Sequence, residues 1–301
     1  MIKRILVTGG TGFIGRNALQ PLVDAGFDVV ALARSAPSEP VEGVTYLACN
    51  LKDPEQLSGI LNDANASHLL HMAWHDAVSG LWGAPENTDW LLTSLELGHA
   101  FLDAGGRRIT ISGSCGEYDW TSGLCSEDHT PLRPSTVYGS AKVAMLHGLS
   151  ALCDTRGAEL AWGRPFFVYG PREHTSRLGA SVVTALLNGE DALCTHGMQL
   201  RDYIHCADVG AGLAALAASD LTGEYNLASG QAIRVADLIN GFASAMGRPD
   251  LVKLGARAAP AYEPPLIVAD MQKTRTSELA WAPKFTLETG IADTVRWFQD
   301  Q

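Results

Sequence analysis

The sequence predicts an α/β fold, a doubly wound parallel sheet with a smaller C-terminal portion. Three observations carry this. A glycine turn, Gly9-Gly10-Thr11-Gly12-Phe13-Ile14-Gly15, joins the short apolar run Ile2–Val7 to a helix-like stretch from Arg16. Further apolar runs of strand length alternate with stretches of helical apolar spacing, the pattern of repeated βαβ units. The 301 residues, 46% of them hydrophobic, suffice for one large α/β unit or two smaller domains with a sizeable core.

The first strand feeds the glycine turn. Gly9 permits the turn, Gly12 lets backbone approach a pyrophosphate, and Gly15 lets the helix pack close on the strand. The order is Gly-x-x-Gly-x-x-Gly. Between a strand and a helix N-terminus it reads as a dinucleotide site, with Phe13 and Ile14 in the same turn. The helix should run to about Ala25 and stop at Gly26; Pro21 inside it has no evident reason. Phe27–Ala33 is the second strand, followed by Arg34 and a polar loop over 36–42. An acid at this strand end would accept hydrogen bonds from a ribose 2′-hydroxyl and favour NAD, whereas a base accommodates the 2′-phosphate of NADP. Ala33 and Arg34 stand there, so NADP is the expected cofactor, with NAD the alternative. The competing view is an Arg34 that stacks on adenine or points to solvent.

Val44–Cys49 reads as the third strand and Pro54–Leu61 as a helix with proline at its first position. His68–Ala73 is an apolar fourth strand. In a parallel sheet, ligands gather at the carboxyl ends of strands. Asn50, Leu51, Ala73 and Trp74 fall at such ends. The stretch Trp74–Trp90 is aromatic and glycine-bearing; it reads equally as a substrate-facing loop or as cover for the sheet edge. Asp89–Ala104 is a helix, Arg107–Ser112 the fifth strand, and Ser114 follows at its end.

Tyr138 and Lys142 stand four residues apart in a helical stretch reaching Leu149, so they share a face. A free phenol has a pKa near ~10 and is a poor acid–base catalyst at neutral pH. A neighbouring ammonium stabilises the phenolate. Ser114 would hold a carbonyl or carbinol oxygen in line with the phenol, and Lys142 would also hold cofactor ribose hydroxyls. In an arbitrary chain these would be a core tyrosine and a surface lysine; after a nucleotide-binding turn the catalytic reading is preferred.

Composition excludes other classes. The net charge of -11 argues against a nucleic-acid surface. No run approaches membrane-spanning length, and no secretory leader is expected. The six cysteines have no C-x-x-C spacing, so neither disulfides nor a metal site is expected, and a cytoplasmic location is.

Together, Thr8–Gly15, Ser114 and Tyr138-x-x-x-Lys142 resemble the extended short-chain dehydrogenase/reductases, Rossmann-fold proteins that include nucleotide-sugar epimerases, dehydratases and reductases. The resemblance spans nearly the whole chain. Asn50-Leu51 stands for the family's Asp-Leu against adenine, and His71-Met72-Ala73-Trp74 for its His-x-Ala-Ala. Arg164–Pro171 is similar to Arg-Pro-x-Asn-Val-Tyr-Gly-Pro, with Phe167 in place of asparagine. Arg201–His205 and Tyr225–Gly230 also match. The resemblance implies that Arg201 binds a substrate pyrophosphate, that Trp74, Cys115, Gly116, Phe167 and Arg172 line the substrate site, and that the chain pairs as a homodimer through two helices per subunit.

It also orders the reactions. Dehydratases carry Asp-Glu after the serine; Cys115 and Gly116 stand there instead. Epimerase-reductases place a cysteine two residues after the serine and a histidine after Gly-Pro; here Gly116 and Arg172 do, and Cys115 and His174 are out of register. The reading that remains is NADP-dependent reduction of the 4-keto group of a nucleotide-linked 6-deoxy sugar, with Tyr138 as acid. The alternatives are a nucleotide-sugar epimerase using NAD(P), a non-catalytic dinucleotide-binding regulator, and a reductase of a non-nucleotide carbonyl. The dinucleotide-binding domain is expected over 1–165, with 200–220 returning to it, and the substrate-binding portion over 166–301. Helices are expected at Leu178–Asn188, Asp208–Ala218, Val235–Met246 and Leu287–Phe298. The loop 256–265 lacks the second phosphate-binding arginine that relatives often carry there; Arg257 is its nearest substitute and reads better as solvated.

Overall fold

Alternation along the first two strands sets the layers. In β1 (Arg4–Thr8), Leu6 faces one side of the sheet, and Ile5 and Val7 the other. In β2 (Asp28–Ala33), Val30 and Leu32 join Leu6, while Val29 and Ala31 join Ile5. Strands apolar on both faces require cover on both. The computed structural model, which describes residues 3–75, 80–259 and 263–301, provides it. With β3 (Val44–Ala48), β4 (His68–His71), β5 (Arg108–Ser112), β6 (Glu159–Pro165) and β7 (Gly223–Leu227), these strands form one parallel sheet of order β7-β6-β5-β4-β1-β2-β3. The order reverses between β1 and β4, so the crevice opens beyond their carboxyl ends, at Gly9 and Ala73.

Helices α1 (Arg16–Asp24) and, from later in the chain, α6 (Cys206–Ala218) cover the Ile5 face through Leu19, Leu22, Val209 and Leu213. On the Leu6 face, α2 (Pro54–Ala64), α3 (Glu86–Asp103) and α4 (Val137–Arg156) contribute Leu57, Leu61, Leu97, Phe101, Met145 and Leu149. A second core joins α5 (Leu178–Leu187), α7 (Val235–Ala245) and α9 (Leu287–Gln299), the last following the short α8 (Gln272–Thr276). Among the described residues no helix is long and apolar enough to cross a membrane. All six cysteines are free and buried.

Several boundaries differ from expectation for local reasons. α2 continues to Ala64, where Asn65 turns left-handed at φ 45°, and Asp53 caps its start by accepting from Gln56 N–H. α3 begins at Glu86, because the buried Asn87 side chain donates to Leu81 O and Ala84 O and folds the incoming loop onto the helix. α4 runs past Leu149 to Arg156 and is closed by Gly157 at φ 62°. Pro21 remains inside α1, which ends three residues later with Ala25 N–H bonded to Pro21 O. Parts of two expected loops, 76–79 and 260–262, lie outside the described residues.

The contact between α1 and α6 is close. A Cβ at Gly210 would lie 2.5 Å from Asn17 Cβ and 2.6 Å from its carbonyl carbon, neither of which can swing aside. Gly210→Ala is therefore expected to lower stability by about 1–3 kcal/mol through overpacking, despite alanine's better helix propensity. Thermal melting checks this; an unchanged or raised midpoint would remove the tight contact.

Candidate active site

The site is assembled on the turn after β5. Ser114 is extended, at φ -164°, and opens a single 3-10 turn, Cys115–Glu117. Its Oγ accepts from Gly116 N–H at 3.1 Å. Its own N–H donates to Glu117 Oε1 at 2.6 Å, closing a reciprocal capping box. The Glu117 carboxylate is fully buried. It also accepts from Trp162 Nε1 at 3.0 Å and from Arg164 Nε at 2.6 Å, both on β6. Gly113 makes room for this: a Cβ there would stand 2.0 Å from Trp162 Nε1. Arg164 Nη1 donates to Tyr118 Oη, which in turn donates to Asn226 Oδ1 on β7.

Tyr138 arrives from the first turn of α4, where Thr136 caps Gly139 N–H at 3.0 Å. A Cβ at Gly139 would lie 2.1 Å from Gly116 O, so the absence of a side chain lets the helix start sit directly on the Ser114 turn. The phenol lies against the Ser114 turn. Burial pushes its pKa up to about 12; the Ser114 hydroxyl opposes this and the Glu117 charge adds to it. Lys142, one turn on, is 4% exposed and donates to Ser112 O at 2.9 Å. Burial pulls its ammonium down to about 7, opposed by Glu117. The Trp74 ring centroid lies 3.8 Å from Lys142 Nζ, with the indole N–H held by Asn87 Oδ1. Trp74 and Trp82 both stand edge-on to Tyr138.

The glycine turn adjoins this cluster. Gly9 has φ +72°, and a Cβ there would lie 2.7 Å from Ala73 N; a Cβ at Gly15 would lie 2.1 Å from Gly9 O. Thr8 Oγ1 accepts from Ala73 N–H and bonds to the buried His71 Nδ1 at 2.6 Å. Burial pulls His71 down to about 3, aided by the Lys142 charge, so its ring is neutral. Ile14 packs on the α1–α6 core, and Phe13 O accepts from Asn17. Leu51 packs on the α2 side of the sheet, while Asn50 Oδ1 accepts from Lys52 N–H in an exposed turn. Arg34 is exposed at the end of β2.

The structure thus gathers Ser114, Tyr138, Lys142, Trp74 and Gly116. Cys115 lies instead in a core cluster with Tyr118, Phe166 and Ile267, its thiol pushed well up by burial. His174 bonds to Ser176 Oγ in an exposed loop. Arg201 is 5% exposed and donates to Leu200 O and Pro264 O, pairing with Glu263 at 3.2 Å; the Phe167 ring lies 5.4 Å from its guanidinium. Arg172 turns to Glu39 and to the Trp297 ring. Arg257 is exposed. Among the described residues no three metal-ligating side chains converge. Sequence reasoning missed Glu117, Arg164 and Asn87. The Ser-x-x-Glu spacing of Ser114 and Glu117 was a usable capping signal; Asn87 offered none.

A lysine whose pKa falls on folding costs stability. Between about pH 7 and 10 the unfolded chain binds one more proton at Lys142 than the folded chain, so this contribution to stability rises with pH, by about 1.4 kcal/mol per unit. Lys142→Met is expected to exceed the parent in stability near pH 7 by up to about 4 kcal/mol, and the gap should close toward pH 10. Urea unfolding across this range checks it; a gap independent of pH would remove the buried-cation account.

Comparison with known proteins shows the family and the fold. A model of the NAD dependent epimerase/dehydratase family matches residues 5–228. UDP-glucose 4-epimerase of Halalkalibacterium halodurans is 25% identical over 326 residues, covering 98% of this chain and 96% of the relative. The UDP-glucose 4-epimerase of Thermus thermophilus, solved with NAD, is 26% identical, with a TM-score of 0.85 and coverage of 98% and 99%. A UDP-N-acetylglucosamine 4-epimerase from Methanobrevibacter ruminantium, solved with UDP-N-acetylmuramic acid, shares the fold at a TM-score of 0.88 and 23% identity, covering 100% and 99%. With the glycine turn and the Ser114–Tyr138–Lys142 cluster on one sheet end, the chain belongs to the NAD dependent epimerase/dehydratase family of extended short-chain dehydrogenase/reductases.

Proposed function

We propose that this protein moves hydride at C4 of a nucleotide-linked sugar, with Tyr138 as the acid–base group. The observation that carries this is the cluster of buried Ser114 and Lys142 with half-buried Tyr138 beside the Gly9–Ala73 crevice. The side-chain-free approach of Gly9 and Gly15 at the head of α1 fits a dinucleotide pyrophosphate. When bound there, a nicotinamide dinucleotide supplies the hydride acceptor and donor. The chain's own residues do the rest. Ser114 Oγ holds the reacting sugar oxygen beside the phenol. Tyr138 Oη takes or gives the proton on that oxygen. A protonated Lys142 favours the phenolate, lowering a pKa that burial alone sets too high. Trp74 and Trp82 keep water from the phenol.

C4 epimerisation of a UDP-hexose is the leading reading, supported by the relatives' names and by the NAD held in one of them. Reduction of a 4-keto-6-deoxy sugar with NADPH is the second, favoured by Ala33 and Arg34 at the end of β2, where no acid stands to hold a ribose 2′-hydroxyl. We also infer a cofactor portion of 1–165 with 200–220, a substrate portion over 166–301, and a homodimer paired through α3 and α4, where Leu92 is 61% exposed. Sedimentation at the monomer mass would remove the dimer.

Incubation with UDP-hexoses, followed by product chromatography, and with nucleotide 4-keto-6-deoxy sugars, followed by NADPH absorbance, separates the two reactions. Interconversion without net cofactor oxidation is expected for an epimerase, and stoichiometric NADPH loss for a reductase. Neither result would overturn both. Tyr138→Phe is expected to lower turnover at least a hundredfold while leaving dinucleotide affinity within about threefold; retained turnover would remove Tyr138 from its role.

A further inference from the structure

Beside the glycine turn lies an open pocket lined by Gly10, Thr11, Arg16, Pro37, Glu39 and Tyr46. Tyr46 Oη accepts from Val41 N–H and folds the loop after β2 over the start of α1. At the pocket's rim the Glu39 carboxylate bridges two guanidiniums from distant parts of the chain. Arg16 opens α1 and lies 3.4 Å away. Arg172 comes from the loop after Tyr169-Gly170-Pro171 and pairs with the same Oε2. Arg172 is held for this contact: it takes a left-handed φ of 68°, unusual for a residue with a side chain, and its guanidinium lies 5.4 Å from the Trp297 ring centroid on α9.

The charges do not balance. One carboxylate answers two permanent cations, and Glu39 is itself 64% exposed on a polar loop. Two guanidiniums converging on one oxygen, next to backbone built for a dinucleotide, match a dianionic phosphate monoester better than a carboxylate. We propose that Arg16 and Arg172 form a seat for the 2′-phosphate of NADP, with Glu39 as the resident anion that the phosphate displaces. This rests on the dinucleotide reading of the Gly9–Gly15 turn and adds two arginines and a competing acid to the choice of cofactor. It also ties that choice to the chain that leads into the substrate portion, because Arg172 follows directly on the Tyr169-Gly170-Pro171 segment. A bound 2′-phosphate takes over the link that Glu39 otherwise makes between the cofactor loop and Arg172. NAD, which lacks that phosphate, leaves the Glu39 link intact.

The test is equilibrium binding of NADPH and NADH to the full chain, read by nicotinamide fluorescence, with the parent protein, Glu39→Gln, Arg172→Met and Arg16→Met. Glu39→Gln should tighten NADPH about tenfold and leave NADH within twofold. Each arginine variant should weaken NADPH about tenfold, again sparing NADH; having two of them keeps the test alive should Arg172→Met fail to fold. Equal shifts for both dinucleotides would make the cluster a structural latch and overturn the seat, as would no shift for either. Binding of neither dinucleotide to the parent protein would instead overturn the dinucleotide reading, and the seat with it.

Discussion

The Glu117 carboxylate is the constraint around which the site is arranged. It is fully buried, so its charge must be met inside the protein. Arg164 meets the charge, and Trp162 and the Ser114 amide satisfy the oxygens. These partners come from β6 and from the turn after β5, two neighbouring strands of the sheet. The ion pair therefore locks the end of one strand to the body of the next. A buried pair of this kind is weak evidence for net stability, because desolvation offsets the attraction. What it supplies here is position: the Ser114 backbone is fixed, and the hydroxyl is fixed with it.

That fixed turn receives α4 as a docking block. Gly116 and Gly139 meet without side chains, and the helix start sets Tyr138 against Ser114. Lys142 then follows by helical geometry alone. Protein packs closely around the cluster, and this desolvation holds the phenol high and the ammonium low. The two shifts have one cause, burial, and each would relax when an opposite charge reaches the site. Aromatic rings from the loop before α3 complete the enclosure, held through Asn87 rather than through the sheet.

Much of this was legible in the sequence, and the exceptions have physical reasons. The strand–glycine–helix start and the five strands up to Ser112 could be read because local apolar patterns and turn glycines encode them. The four-residue spacing of Tyr138 and Lys142 placed them on one face. The last two strands were harder: β6 carries Arg164 in its interior and β7 carries Asn226, and the side-chain partners of both are distant in sequence. The Glu263 partner of Arg201 lies 62 residues away, beyond any spacing rule. Cys115 read as facing substrate, but its turn directs it into the core. The Glu39 bridge spans 133 residues to Arg172 and was equally out of reach.

The distribution of the thiols has a practical side. Cys49, Cys153, Cys194 and Cys206 sit at the end of β3, on α4, beside α5 and at the start of α6, and all are shielded from solvent. A bulky alkylating reagent reaches such a sulfur only when its surroundings open. The protein thus carries native timers of local opening spread over the sheet and the C-terminal core. Mass spectrometry of alkylated peptides, with and without dinucleotide, would rank the regions by how often they breathe, with no engineered label.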